Sequence, residues 1–293
     1  MLEIWTLLSA TPWSFATFIG ILGLLVGSFL NVVIHRLPIM MERQWRTECA
    51  ALAGDTSPTA EPFNLVVPRS RCPHCGVMIR AWDNVPLVSY ALLGGHCRHC
   101  KSRIPLRYPA VEAASGVLGA WAALHFGPGW AGAFAAVLTW ALVALSVIDF
   151  DTQLLPDAIT LPLLWLGLLL NTAEVYTDLG SSVVGAAAGY LVLWSVYWAF
   201  RLATGKEGMG YGDFKLLGML GAWFGWQLLP IVLLAASVVG AVVGISLIAF
   251  AGHARGKPIP FGPYLACAGW VAMMWGDRIA ATWLGLGQGS GAL

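Results

Sequence analysis

Charge is what this chain has least of. Only 11% of its 293 residues are charged, where a soluble domain carries about 25%, so an ordinary soluble enzyme or a disordered tail is excluded. Hydrophobic residues make up 58%, and they fall in runs long enough to cross a bilayer, the mark of a polytopic membrane protein. Basic and aromatic residues are not interleaved in any patch, so no nucleic-acid surface is expected. Also missing are an internal repeat and a glycine-rich strand-to-helix fingerprint. No basic stretch precedes the first apolar run, and no small-residue cleavage site follows it before His35-Arg36. That run is therefore expected to be a retained transmembrane helix, not a signal peptide.

What is present is an all-α pattern. Apolar runs lie at 13–35, 109–127, 130–149, 157–172, 179–200, 213–226, 228–251 and 262–285. About eight transmembrane helices are expected, the fourth and sixth short, the sixth and seventh meeting at Gln227 with almost no loop. Glycine is abundant at 34 residues, which suits close helix approach in a membrane bundle. Ten of the sixteen Lys and Arg residues fall between Arg36 and Arg107. Alternating eight spans puts these with Arg201, Lys206, Lys215, Arg255 and Lys257 on one side, while the opposite loops hold neither Lys nor Arg. By the positive-inside rule that basic side is cytoplasmic. The expected organisation is a first transmembrane helix at 1–36, a cytoplasmic zinc-binding domain at 37–108, and a transmembrane domain of about seven helices at 109–293.

Two knuckles, Cys72-Pro-His-Cys75 and Cys97-Arg-His-Cys100, stand in the soluble segment with 21 residues between them. Paired C-x-x-C knuckles place four thiolates tetrahedrally about zinc at roughly 2.3 Å. A closed site of Cys72, Cys75, Cys97 and Cys100 holds a fold together and leaves no position for chemistry. Two disulfides are the plain alternative, disfavoured by a reducing cytosol, and His74 or His99 is able to replace one cysteine. Cys49 and Cys267 have no partner in sequence. The stretch from Ala51 to Pro62 reads as loop.

The remaining signal is acidic. Asp149 closes an apolar helix at its C-terminal pole, where negative charge is disfavoured, and a residue placed against a local rule points to function. Asp151 falls two residues beyond the expected helix end and reads as a loop acid. Asp157 follows Pro156 and reads as a first-turn acid of the next helix. Asp213 opens a further run behind Gly210 and Gly212, glycines that let an extended backbone approach. Lys215 reads as a snorkelling cation or one that biases Asp213. Four acids from three helices at one membrane face look like one site. Two carboxyls near one water suffice for acid–base hydrolysis of a peptide bond, one taking the water's proton and the other donating to the carbonyl.

These residues together resemble the type IV prepilin peptidases, the bifunctional leader peptidase/N-methyltransferases of pilus and type II secretion systems. The matching pieces are Gly27-Ser-Phe-Leu-Asn-Val-Val-Ile-His-Arg-Leu-Pro38, the two knuckles, Arg107-Tyr-Pro-Ala-Val-Glu112, the stretch Asp149 to Asp157, Gly210-Tyr-Gly-Asp213-Phe-Lys-Leu and Pro260-Phe-Gly-Pro-Tyr-Leu-Ala266. The resemblance implies a GxGD-type aspartyl protease of the bacterial inner membrane, its site facing the cytoplasm. It implies Asp149 and Asp213 as the catalytic pair, and prepilins and pseudopilins as substrates. Cleavage after a Gly releases a short basic leader, and the new α-amino group, usually of Phe, is methylated from S-adenosylmethionine. In the family the cysteine-bearing segment, with Gly95 before the second knuckle, is associated with methyl transfer. The backbone at 210–212 and 258–263 is expected to hold the scissile segment extended.

Rival readings are an ion-coupled transporter, whose acids belong near the bilayer midplane, and a scaffold whose zinc module docks a secretion partner. A peptidase without methyl transfer is a third. Asp213→Asn separates enzyme from scaffold.

Overall fold

The computed structural model describes residues 11–54, 62–250 and 259–284, and the regular elements among them are helical. Two isolated antiparallel bridges, Arg71 with Met78 and His96 with Arg103, are the extended pairings among those residues. The chain divides into two compact units, residues 1–144 and 145–293, the boundary falling inside a helix. Basic Arg255 and Lys257 of the expected cytoplasmic loop lie outside the described residues.

The first unit holds α1 (Pro12–Leu52), a 3-10 turn (Ala81–Asn84), α2 (Val88–Leu92), α3 (Arg107–Phe126) and the start of α4 (Trp130–Thr152). Thr11 caps α1 through a reciprocal box with Ser14, and Pro12 sits at its first position, where a missing N–H costs nothing. The helix continues past the apolar run expected to end at Arg36: α1 runs 41 residues, about 60 Å at 1.5 Å per residue. Hydropathy stops there, but helix-forming residues continue, tied by Arg46–Glu42 at 2.5 Å and Gln44–Glu48 at 2.9 Å. Pro38 interrupts only locally.

Helices α1 and α3 meet through small residues: a Cβ on Gly23 would lie 2.6 Å from the Ser115 carbonyl oxygen. Polar contacts then tie the cysteine segment to both. Arg36, buried, donates to the carbonyls of Asn64 and Pro68 at 2.8 and 2.5 Å. Buried Glu112 of α3 accepts the Leu87 N–H at 2.9 Å. Asn31 of α1 donates to the Tyr108 carbonyl at 3.1 Å.

The second unit holds the end of α4, then α5 (Asp157–Asn171), α6 (Leu179–Thr204), α7 (Tyr211–Phe224), α8 (Leu229–Phe250) and α9 (Gly262–Leu284). At its centre is α7, only 14 residues long and buried from Phe214 to Phe224 except at Lys215. Its C-terminal carbonyls are met from two other helices. Asn171 Nδ2 donates to Ala222 and Trp223 oxygens at 2.9 and 3.1 Å, and Ser182 Oγ also donates to Ala222. Asn171 Oδ1 in turn accepts Tyr176 and Thr177 N–H groups. The Trp223 indole donates to the Leu163 oxygen at 2.8 Å. A short helix ending in apolar surroundings needs such partners, because no water reaches its free carbonyls.

Among the described residues four helices are long and apolar enough to cross a membrane: Pro12–Leu52, Trp130–Thr152, Leu179–Thr204 and Trp226–Leu247. With 15 and 14 residues, α5 and α7 reach only about 22 Å, short of the roughly 30 Å of hydrocarbon. Within the described residues the expected eight runs are helical, and by length and composition four of them are able to cross alone. The chain is an all-α membrane protein.

Candidate active site and cysteine centre

Asp149 and Asp213 both belong to the second unit, and both are buried, at 5% and 6% exposure. A carboxylate shielded from water is costly unless it has partners. Asp149 lies in the last turn of α4, which runs on to Thr152. Asp151 is therefore a helical residue, exposed, and not the loop acid expected. Oδ2 of Asp149 accepts the backbone N–H of Gly262 at 2.9 Å. Gly262 opens α9, so the acid at the unfavourable pole of one helix meets the favourable pole of another. A Cβ on Gly262 would lie 2.6 Å from that carboxylate oxygen.

Asp213 is the third residue of α7, behind the cap Gly210. The charge of Asp149 acts on it directly, so the two carboxyls share one electrostatic environment. Its Oδ1 is buried and has no hydrogen-bond partner among the described residues. Buried acceptors are rarely left unpaired in this way.

The glycines around the pair are not all open to a ligand. At Gly212 a Cβ would meet Leu155 Cβ at 2.7 Å, and Leu155 Cδ1 also lies 3.2 Å from the Cβ position of Gly262. The room at these two glycines is taken by Leu155 and by Asp149. At Gly210 a Cβ would meet nothing nearer than 4.0 Å. Moreover Tyr211, Gly212, Gly262 and Pro263 are helix starts, so the extended backbone expected there is found at Gly210, while residues 259–261 lie outside any regular element and position 258 lies outside the described residues.

The four acids do not form one cluster of equals. Asp157 is the first residue of α5, half exposed, and both its oxygens accept from Lys215 Nζ at 2.7 Å. Lys215 is thus paired away from Asp213. Neither this ion pair nor the Gly262 contact was readable in sequence: 58 and 113 residues separate the partners. Pro260-Phe-Gly-Pro was the only visible hint of the second.

In the first unit the sulfurs of Cys72, Cys75, Cys97 and Cys100 all lie within 4.8 Å of one another, and the cysteines are unbridged. Cys72 and Cys100 sulfurs are 3.7 Å apart, against about 3.8 Å across a tetrahedron of 2.3 Å zinc–sulfur bonds. Neither His74 nor His99 joins them. The two knuckles have the same build. Cys72 N–H bonds to Val77 and Cys97 N–H to Ser102, while Gly76 and Lys101 bond back to Cys72 and Cys97. Gly76 and Lys101 share the left-handed conformation, φ +69° and +57°. Backbone N–H groups of Cys75 and His74 hold the Cys72 thiol down at about 6. The Ser102 hydroxyl, 3.1 Å from Cys100 Sγ, lowers that thiol too. Against the Val77 backbone N–H, burial and hydrogen bonds with the other three thiols push the Cys75 thiol up to about 11, so it is the spacing of the four sulfurs that fits zinc.

Gly95 follows α2 with φ +71°, its N–H bonded to the Tyr90 carbonyl and a Cβ there only 2.8 Å from the Tyr90 hydroxyl. The left-handed backbone and the nearby Tyr90 hydroxyl together favour glycine here.

An all-α membrane protein with two buried aspartates in one unit and a four-cysteine cluster in the other defines a class, that of helical membrane proteins with a paired-acid centre and a zinc-compatible module. Comparison with known proteins narrows it. Residues 21–126 match the bacterial peptidase A24 N-terminal domain, and residues 136–245 the type IV leader peptidase family. The prepilin leader peptidase/N-methyltransferase of Stutzerimonas stutzeri is 55% identical over 94% of this chain and 96% of its own. That of Aeromonas hydrophila is 56% identical over 93% and 95%, and that of Pseudomonas putida 53% over 96% and 98%. No solved structure matches the chain. The chain belongs to the type IV leader peptidase family.

Proposed function

We infer that this chain cleaves the leader from type IV prepilins and pseudopilins and then N-methylates the new N-terminal residue. The observation that carries the peptidase half is the buried pair Asp149 and Asp213, one carboxyl already tied to a backbone N–H and the other with a free oxygen. We assign hydrolysis to this pair. Asp149 takes a proton from water as its oxygen attacks the scissile carbonyl carbon, and Asp213 donates to the carbonyl oxygen. Collapse of the tetrahedral intermediate breaks the C–N bond, with a proton passing to the departing amine.

The methyl-transfer half is assigned to the first unit, with the zinc closed by Cys72, Cys75, Cys97 and Cys100 as its structural staple and Gly95 within it. S-adenosylmethionine, when bound, would supply the methyl group for the new α-amine. The basic segment from Arg36 to Arg107 supports an orientation with both centres at the cytoplasmic face of the bacterial inner membrane. There they meet a substrate whose apolar helix lies in the bilayer and whose leader lies in the cytosol. Eight crossings, with α5 and α7 short, complete that topology.

The test is mass spectrometry of a prepilin incubated with the detergent-purified chain, with and without S-adenosylmethionine. Loss of the leader in both arms, plus one methyl mass only with donor, is expected. Cleavage without methylation limits the chain to the peptidase; no cleavage returns the scaffold reading.

A further inference from the structure

We propose that Asp157 and Lys215 are a positioning pair that sets how Asp149 and Asp213 face each other; the proposal rests on reading those two aspartates as the peptidase centre. The connector from Asp149 to Asp157 touches α7 twice. Leu155 fills the gap between Gly212 and Gly262, the latter holding Asp149. Two residues on, Asp157 receives the Lys215 ammonium on both oxygens at 2.7 Å each. Lys215 in turn lies two residues beyond Asp213 on the first turns of α7.

Two helical residues apart means about 200° around the axis, so Lys215 and Asp213 point away from each other. The lysine therefore acts on the dyad through Asp157 and the connector, not by neutralising its neighbour. Side-chain exposures of 30% and 51% rule out a large contribution to stability, because half-exposed pairs are well screened. What such a pair supplies is geometry: it fixes the start of α5 against the start of α7, each adjoining one catalytic acid. Small displacements of reacting groups cost rate out of proportion to the energy that held them.

The experiment measures kcat and KM for prepilin cleavage by the full chain in detergent. Variants are Asp157→Asn, Lys215→Gln, the double substitution and Lys215→Arg, with Asp213→Asn in parallel. Each single neutralisation is expected to lower kcat about tenfold with KM within about twofold, and the double to lose about tenfold, not a hundredfold, because the pair acts as a unit. Lys215→Arg is expected to keep kcat within about threefold. Unchanged kcat in the singles, losses that multiply, or a rise in KM in place of a fall in kcat would overturn the proposal. Asp157 is half exposed, so Asp157→Asn decides the question even where Lys215→Gln does not fold. Cleavage by Asp213→Asn sinks the dyad assignment itself, whereas an inactive Asp213→Asn beside fully active pair variants sinks only this proposal.

Discussion

Gly262 donates its backbone N–H to Oδ2 of Asp149 across 2.9 Å, joining the first residue of α9 to the last turn of α4. The contact answers why an acid ends a helix at its negative pole: the positive pole of a different helix is aimed at it. In the proposed mechanism it leaves the other oxygen, Oδ1, to take the proton from water. The backbone comes this close only because Gly262 has no side chain.

Gly262→Ala tests that relationship. The added methyl would stand 2.6 Å from Oδ2, so the carboxylate must turn or α9 must retreat. Displacement on the order of 1 Å costs about a hundredfold in rate. Processing is expected to fall by that much while the protein still inserts and extracts normally. Wild-type cleavage by the alanine variant would show that the carboxylate position is not critical.

The expectation for Asn171→Leu is loss of stability. Asn171 is fully buried and serves the Ala222 and Trp223 carbonyls and two N–H groups. Stranding buried acceptors costs about 1–3 kcal/mol each, so the thermal midpoint in detergent should drop by several degrees, and activity with it. An unchanged midpoint would mean that α7 ends in contact with water.

Lys101 and Gly76 occupy matching places in the two knuckles, yet only one is glycine. A left-handed lysine costs about 1–2 kcal/mol. Lys101→Gly should therefore hold zinc more tightly against a chelator, and Gly76→Val less tightly, from a wild-type content of one zinc per chain. Equal resistance in all three, or no zinc in any, contradicts the account of this module.

How much of this was legible in sequence depends on the range of each interaction. Every apolar run became a helix, because span-length hydrophobicity is a local property. The continuation of α1 was hidden for the same reason: apolarity stops near Arg36, but helical propensity and the Glu42–Arg46 pair carry on to Leu52. The four-cysteine cluster was readable from spacing within each knuckle, and the sulfurs do converge. Asp149 and Asp213 stood out as acids in apolar runs, and the structure buries both. Their surroundings were not readable. Asp157 gave no sign of Lys215, and Gly210, Gly212 and Gly262 looked alike although only Gly210 keeps free space. Asn171 looked like an ordinary helix end, and its hold on α7 spans 51 residues.

The most direct test of the central claim is the processed fraction of a prepilin given wild type, Asp149→Asn and Asp213→Asn protein at equal concentration. Asparagine keeps the shape of each side chain and removes its acid–base capacity. The account predicts complete processing by the wild type and none detectable with either variant, both being extracted as folded protein with zinc retained. Leader removal by either asparagine variant would contradict it.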